Sequence, residues 1–225
     1  MSKRRDEYMS SKWSEIFSKR AEGYSDAYYT NPEQHMEHRA HIVINLGPKI
    51  SPPAGILELG CGDGFLGCIL ASKGYRYLGL DVAPGMVEVA RKRAITANLD
   101  AEFQVGDMTN LNLDRTFHTI FSTMNTFFRY AVEPVESLKQ FRPFVEKKIV
   151  IDWNHNQMKR VPFNKALSSL QEAGYKKVEW QPCFSPTRAV FPTLVLKLLY
   201  AAEHIPLLRY LLIQRKFFAL IKGEV

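Results

Sequence analysis

The stretch Ile56-Leu57-Glu58-Leu59-Gly60-Cys61-Gly62-Asp63-Gly64 constrains the fold more than any other part of this chain. A short apolar run with one acid inside it opens into three glycines spaced two apart. The run reads as a buried strand and the residues from Phe65 onward as a helix, so the glycines occupy a tight strand-to-helix turn. Lacking Cβ atoms, they take positive φ where needed and let backbone approach a ligand closely. The helix beyond aims its unpaired N–H groups and positive dipole end at that ligand. Such a turn is a nucleotide-type cofactor site.

Two frames compete for it. Gly62-Asp63-Gly64-Phe65-Leu66-Gly67 is a formal GxGxxG, the dinucleotide fingerprint. Its first glycine should come directly off the strand, where Gly60 already stands. The frame Glu58-x-Gly60-x-Gly62-x-Gly64 uses all three glycines and the acid in the strand, and it resembles the first motif of the class I S-adenosylmethionine-dependent methyltransferases. Arg76 to Asp81 reads as a second strand ending in an acid, 21 residues beyond Gly60. A carboxylate there accepts both ribose hydroxyls, which suits either cofactor family.

The tract Asp81-Val82-Ala83-Pro84-Gly85-Met86 then starts a helix, with Pro84 tolerated in the first turn. It resembles the methyltransferase tract in which Met86 would pack on the adenine, with Val82 among the cofactor contacts. A third strand over 101–105 runs into Gly106-Asp107-Met108. That resembles the family motif whose Asp hydrogen-bonds the adenine amino group. A fourth strand ends at Ser122 and leads to Met124-Asn125, where the family places the methionine half of the donor. The resemblance therefore implies S-adenosylmethionine as cofactor, held by Glu58, Gly60, Cys61, Gly62, Asp81, Val82, Met86, Asp107, Met108 and Ser122. It spans about residues 42–182.

Strands are expected at 55–60, 76–81, 101–105, 118–123, 147–152 and 176–182, alternating with helices at 65–73, 84–97, 133–142 and 163–173. Alternation of this kind gives a parallel sheet covered on both faces. The family implies a Rossmann-like α/β sheet of seven strands in the order 3-2-1-4-5-7-6, with strand 7, around Arg215 to Gly223, antiparallel. All 225 residues are read as one domain. Residues 1–46 form a helical cover of the kind that overlies the donor pocket in this family, and 183–214 form a helical insertion before the last strand. Pro206 should split that insertion into two helices. Three readings of it stand open: a lid forming an apolar acceptor pocket, an interfacial segment with Lys197 and Arg209 facing headgroups, and ordinary core or a dimer face.

Charge and cysteines bound the partners. A formal net charge of +7 admits nucleic acid or an anionic membrane. The basic residues are scattered, however, and the Asn/Asp-Pro-Pro-aromatic tetrad and Pro-Cys pair of base methyltransferases are absent after the fourth strand, so nucleic acid is not favoured. Cys61, Cys68 and Cys183 form no paired framework and read as reduced packing residues. No apolar signal segment follows the basic start. A cytoplasmic location is expected, with peripheral membrane contact through 191–213 as an alternative. The oligomeric state is not legible.

Methyl transfer from a sulfonium asks the protein to align groups and exclude water, so no triad is required. A metal is not expected, although Asp152 beyond the fifth strand keeps the question open. For a hydroxyl acceptor the best-placed base is His155, because ligands gather at strand carboxyl ends. Arg129 and Tyr130 are further candidates for acceptor contact. His35, His38 and His41 share a helical face without the carboxylate or Cys support a metal would want. Tyr24, Tyr28 and Tyr29 either line the acceptor pocket or cover the core. The function implied is methyl transfer to a small, apolar or lipid-like metabolite on O, N or C. The alternatives are a binding or scaffold protein with this fold but no turnover, and an NAD-dependent oxidoreductase.

Overall fold

In the computed structural model the described residues are 11–124, 127–154, 161–184, 191–214 and 218–225. Strands β1 (Gly55–Leu59), β2 (Arg76–Asp81), β3 (Ala101–Val105), β4 (Phe117–Ser122), β5 (Val145–Trp153), β6 (Lys176–Cys183) and β7 (Phe218–Glu224) form one sheet. Its order is β3-β2-β1-β4-β5-β7-β6. β7 runs antiparallel between β5 and β6, and the pairs among the first five strands are parallel. This is the expected order, with the boundaries of the first six strands within a residue or two of those read from sequence; the expected start of the seventh, at Arg215, lies outside the described residues.

All five residues of β1 are buried, as a central parallel strand covered on both faces requires. Side chains alternate across it. Ile56 joins Tyr77, Phe103, Phe121 and Val150 on one face, while Leu57 and Leu59 join Leu78, Leu80, Ile120 and Ile149 on the other. The first face carries α2 (Pro32–Asn45), α3 (Phe65–Ser72) and α4 (Pro84–Thr96); the second carries α5 (Phe127–Tyr130), α6 (Pro134–Phe141) and α7 (Phe163–Glu172). The strand order reverses between β1 and β4, and such a switch point opens a crevice at the strand carboxyl ends.

Two helical additions flank this core. Residues 11–18 are helical and lead through a turn to α1 (Tyr24–Tyr28) and then α2. Asn31 caps α2 by accepting the Gln34 N–H at 3.1 Å, with Pro32 in its first turn. At the other end the buried Lys148 ammonium donates to the carbonyls of Ile44 and Leu46 at 2.9 and 2.8 Å. The second addition comprises α8 (Thr193–Ala202), a 3-10 turn at Pro206–Leu208 and α9 (Arg209–Gln214). Pro206 divides it as expected. Among the described residues no helix is long and apolar enough to cross a membrane.

Candidate functional site

A cavity of about 260 Å³ opens at the carboxyl ends of β1 and β2. One wall is the glycine turn. Gly60, Gly62 and Gly64 all have positive φ, but they serve different ends. A Cβ on Gly64 would lie 2.6 Å from the Ala90 side chain, so this glycine permits close packing of helix on strand. A Cβ on Gly62 would meet nothing within 4 Å. Gly62 lines the cavity, and its bare backbone leaves a cradle there that a side chain would fill.

Asp81 organises that cradle. Its carboxylate accepts the Gly62 N–H and the Ala83 N–H, each at 2.9 Å. Burial pushes its carboxyl above the ordinary aspartate range, and those amide donors pull it back. The same carboxylate thus fixes the loop and faces the cavity. Glu58, on β1, is buried against the Tyr77 hydroxyl, and burial raises its carboxyl to about 8. At the end of β3 Asp107 accepts the Thr109 N–H at 2.8 Å and the Thr109 hydroxyl at 2.7 Å.

The opposite wall comes from the N-terminal addition. Trp13, Phe17, Tyr24, Tyr28 and Tyr29 line the cavity with Met36, and Tyr130 and Phe218 complete the aromatic lining. The rings pack edgewise: Trp13 on Tyr130 at 5.1 Å and Phe17 on Tyr24 at 6.1 Å. Arg129 lies 5.8 Å from the Trp13 ring. Burial raises the Tyr24 and Tyr130 hydroxyls above their usual range and takes Tyr29 to about 12, so all three stay protonated at neutral pH.

Asp63 ties the two walls together. Its buried carboxylate accepts the Ser25 N–H at 3.1 Å and the Ser25 hydroxyl at 2.7 Å, while Arg93 of α4 donates to it at 3.0 Å. A second tie is steric. The Ser18 carbonyl oxygen lies 2.7 Å from where a Cβ on Gly85 would be, and the Ser18 hydroxyl accepts the Gly85 N–H. Sequence reasoning passed over Asp63, Ser18, Ser25 and Met36. The one local signal was a glycine directly after the first-turn proline of α4.

The structure brings together Glu58, Gly60, Cys61, Gly62, Asp81, Val82, Met86, Asp107 and Met108 around the one cavity. Ser122 stands apart from them. Phe121 shares the Glu58 face, so alternation turns Ser122 to the other side, where its hydroxyl donates to the Leu59 carbonyl at 2.9 Å. It is not part of the lining. Among the described residues, 191–214 do not line this cavity. Asp152 lies fully buried 3.9 Å from the Arg39 guanidinium. The three histidines have separate uses. His35 stacks on Tyr29, His38 donates to Glu203, and His41 contacts Asn45. Among the described residues no group of three His, Cys, Asp or Glu could hold a metal ion. His155 and Asn125 lie outside the described residues.

A glycine cradle, an acid at the end of β2 and a second at the end of β3, set at a switch point of a mostly parallel sheet, define a nucleoside-cofactor domain. Residues 56–148 match the methyltransferase domain family. A malonyl-(acyl-carrier protein) O-methyltransferase from Anoxybacillus flavithermus is 30% identical over 124 residues, which are 54% of this chain and 44% of that protein. The chain spans less than half the length of such curated relatives. Among solved structures, a TehB-like S-adenosylmethionine-dependent methyltransferase from Corynebacterium glutamicum superposes with a TM-score of 0.61 at 19% identity, covering 93% of this chain and 96% of that one. The cyclase SpnF superposes at 0.68 with 15% identity, over 96% of each chain. The matched segment, residues 56–148, holds the glycine turn and the ends of β2 and β3, and the solved structures, at 19% and 15% identity, show that the whole chain shares this fold.

Proposed function

We propose that the chain transfers a methyl group from S-adenosylmethionine to a small, apolar or lipid-like acceptor bound beneath the N-terminal cover. The observation that carries this reading is the single cavity in which the Gly62 cradle and Asp81 face an aromatic wall. When bound, the cofactor supplies a methyl group already activated on a sulfonium. The residues need only bind, orient and exclude water. Gly60, Gly62, Asp81, Asp107 and Met86 would hold the nucleoside end. The rings of Trp13, Phe17 and Tyr130 would shield the reacting end and bury apolar acceptor surface, at roughly 25 cal/mol per Å².

For a hydroxyl acceptor the proposed base is His155, two residues beyond the end of β5. His155→Ala should then lower kcat by about 10²–10⁴-fold while leaving donor binding intact. An unchanged kcat would remove His155 from the reaction. An acceptor of this kind partitions into membranes, and residues 191–213 offer a surface for peripheral contact.

Calorimetry against S-adenosylmethionine, S-adenosylhomocysteine and NAD tests the reading. The first two should bind and NAD should not. Asp81→Ala should weaken binding by about 2–4 kcal/mol, or roughly 30- to 800-fold. NAD binding in place of the two sulfur nucleosides would favour an oxidoreductase. Because the cyclase SpnF shares the fold, a binding protein without methyl transfer is the second reading. Tight donor binding with no methylated product from any apolar acceptor would favour it.

A further inference from the structure

The outer face of the insertion has an unusual composition. Leu194, Leu198, Leu207, Tyr210 and Leu211 are between 58% and 86% exposed. The buried partners of the same helices, Leu196 and Ile213, point inward, so these helices are apolar on both sides. The one acid within 191–214 is Glu203. It is fully buried, accepting from His38 at 2.9 Å and from the Phe184 N–H. What remains at the surface is mostly apolar, with the cationic Lys197 and the His204 ring, while Arg209 is partly exposed and donates to the Trp180 carbonyl.

We infer that this face docks on an anionic bilayer as an interfacial patch. Aliphatic side chains enter the headgroup boundary while the flanking Lys197 extends to lipid phosphates. An acidic face would oppose this, and the one acid within 191–214 is turned inward. A second copy of the chain is the less complementary partner, since Lys197 and Arg209 would meet their own kind on molecules of net charge +7. On the side away from the patch, Tyr200 of α8 stacks on His38 of α2 at 3.6 Å. The inference extends the lipid-like acceptor proposed above, yet rests on a surface outside the donor site.

Co-sedimentation with phosphatidylcholine vesicles, with and without about 30% phosphatidylserine, tests it. The full chain should pellet with the anionic vesicles and lose most of that binding when salt rises from roughly 0.05 to 0.5 M. The double variant Leu207→Glu, Leu211→Glu should bind at least about tenfold more weakly, and Lys197→Glu should remove the preference for phosphatidylserine. Both changes fall on exposed positions, so S-adenosylhomocysteine affinity should stay within about twofold and serves as the folding control. Absence of vesicle binding, or equal binding to both vesicles without salt dependence, overturns the inference. So does a wild-type dimer in sedimentation velocity that the double variant turns into a monomer. Wild-type protein that binds vesicles but no sulfur nucleoside would refute the proposed function and leave the docking surface standing.

Discussion

The N-terminal addition and the insertion before β7 are built from similar material, short helices rich in aromatic and aliphatic residues, but they meet the fold in opposite ways. The first is fastened by directional contacts to the donor turn: Ser25 to Asp63, Ser18 to Gly85, Trp13 to Tyr130. The second is fastened to α2 and to the β6 edge, through His38 with Glu203 and Arg209 with the Trp180 carbonyl at 3.5 Å. Leu194, Leu198, Leu207 and Leu211 stay outside. Apolar content alone therefore does not say whether a segment closes a site. The placement of a few buried polar partners decides that, because an unmade buried hydrogen bond costs more than a misplaced leucine.

If the cover and the donor turn form one unit, Gly62→Val should have the largest effect. The residue sits at φ 54° facing the cavity, where a β-branched side chain is strained and fills the cradle. Binding of S-adenosylhomocysteine should fall by more than about 10³-fold with an unchanged far-UV spectrum. Normal binding would make the turn purely structural. The latch comes next. Ser25→Ala leaves the buried Asp63 short of one donor and should weaken binding by about 1–2 kcal/mol, roughly 5- to 30-fold, with faster amide exchange across 11–30. Ser25→Thr should restore it. Unaltered exchange in Ser25→Ala would detach the cover from the donor turn and erase the contrast with the insertion.

A smaller effect concerns Glu58. Its carboxyl is held at about 8 by burial, so at neutral pH it is mostly protonated. A cationic donor favours the ionised form, so binding should release a proton and strengthen by about fivefold from pH 7 to pH 8, then level off. The sign for stability is the reverse. The raised pKa stabilises the empty fold fully below about 4.5, and that contribution is lost as pH rises through about 8. Calorimetry in buffers of different ionisation enthalpy reads the proton directly, and Glu58→Gln should abolish it. The smallest effect is expected of the insertion, whose Leu207→Glu, Leu211→Glu variant should alter donor affinity by less than about twofold.

The sheet and donor turn were legible because their signals are local. A buried strand of five residues, three glycines and a strand-end acid fall within one short stretch, and parallel pairing demands apolar residues on both faces. The side on which Ser122 lies is a matter of parity: one residue along a strand separates the face of Glu58 from that of Leu59. The place of the insertion was not legible for a reason of distance, since the side of the sheet on which a helical segment lands depends on partners such as His38 and Glu203, 165 residues apart. Asp63 was hidden in plain view. Its type and place are visible in the sequence, but a carboxylate inside an anion-binding turn explains itself only once Ser25 and Arg93 are seen around it.

The His38–Glu203 pair has a consequence for how this chain can change over generations. Glu203 is fully buried, and His38 nearly so, with the Phe184 N–H as the other donor. Losing either residue alone leaves a buried polar group short of a partner, a loss of about 1–3 kcal/mol, whereas exchanging both for apolar residues of similar volume removes that mutual penalty. The route from one state to the other passes through an unstable intermediate. Descendants should therefore keep both residues or lose both, and in an aligned set of relatives carrying this insertion positions 38 and 203 should change together while the leucines around them drift independently.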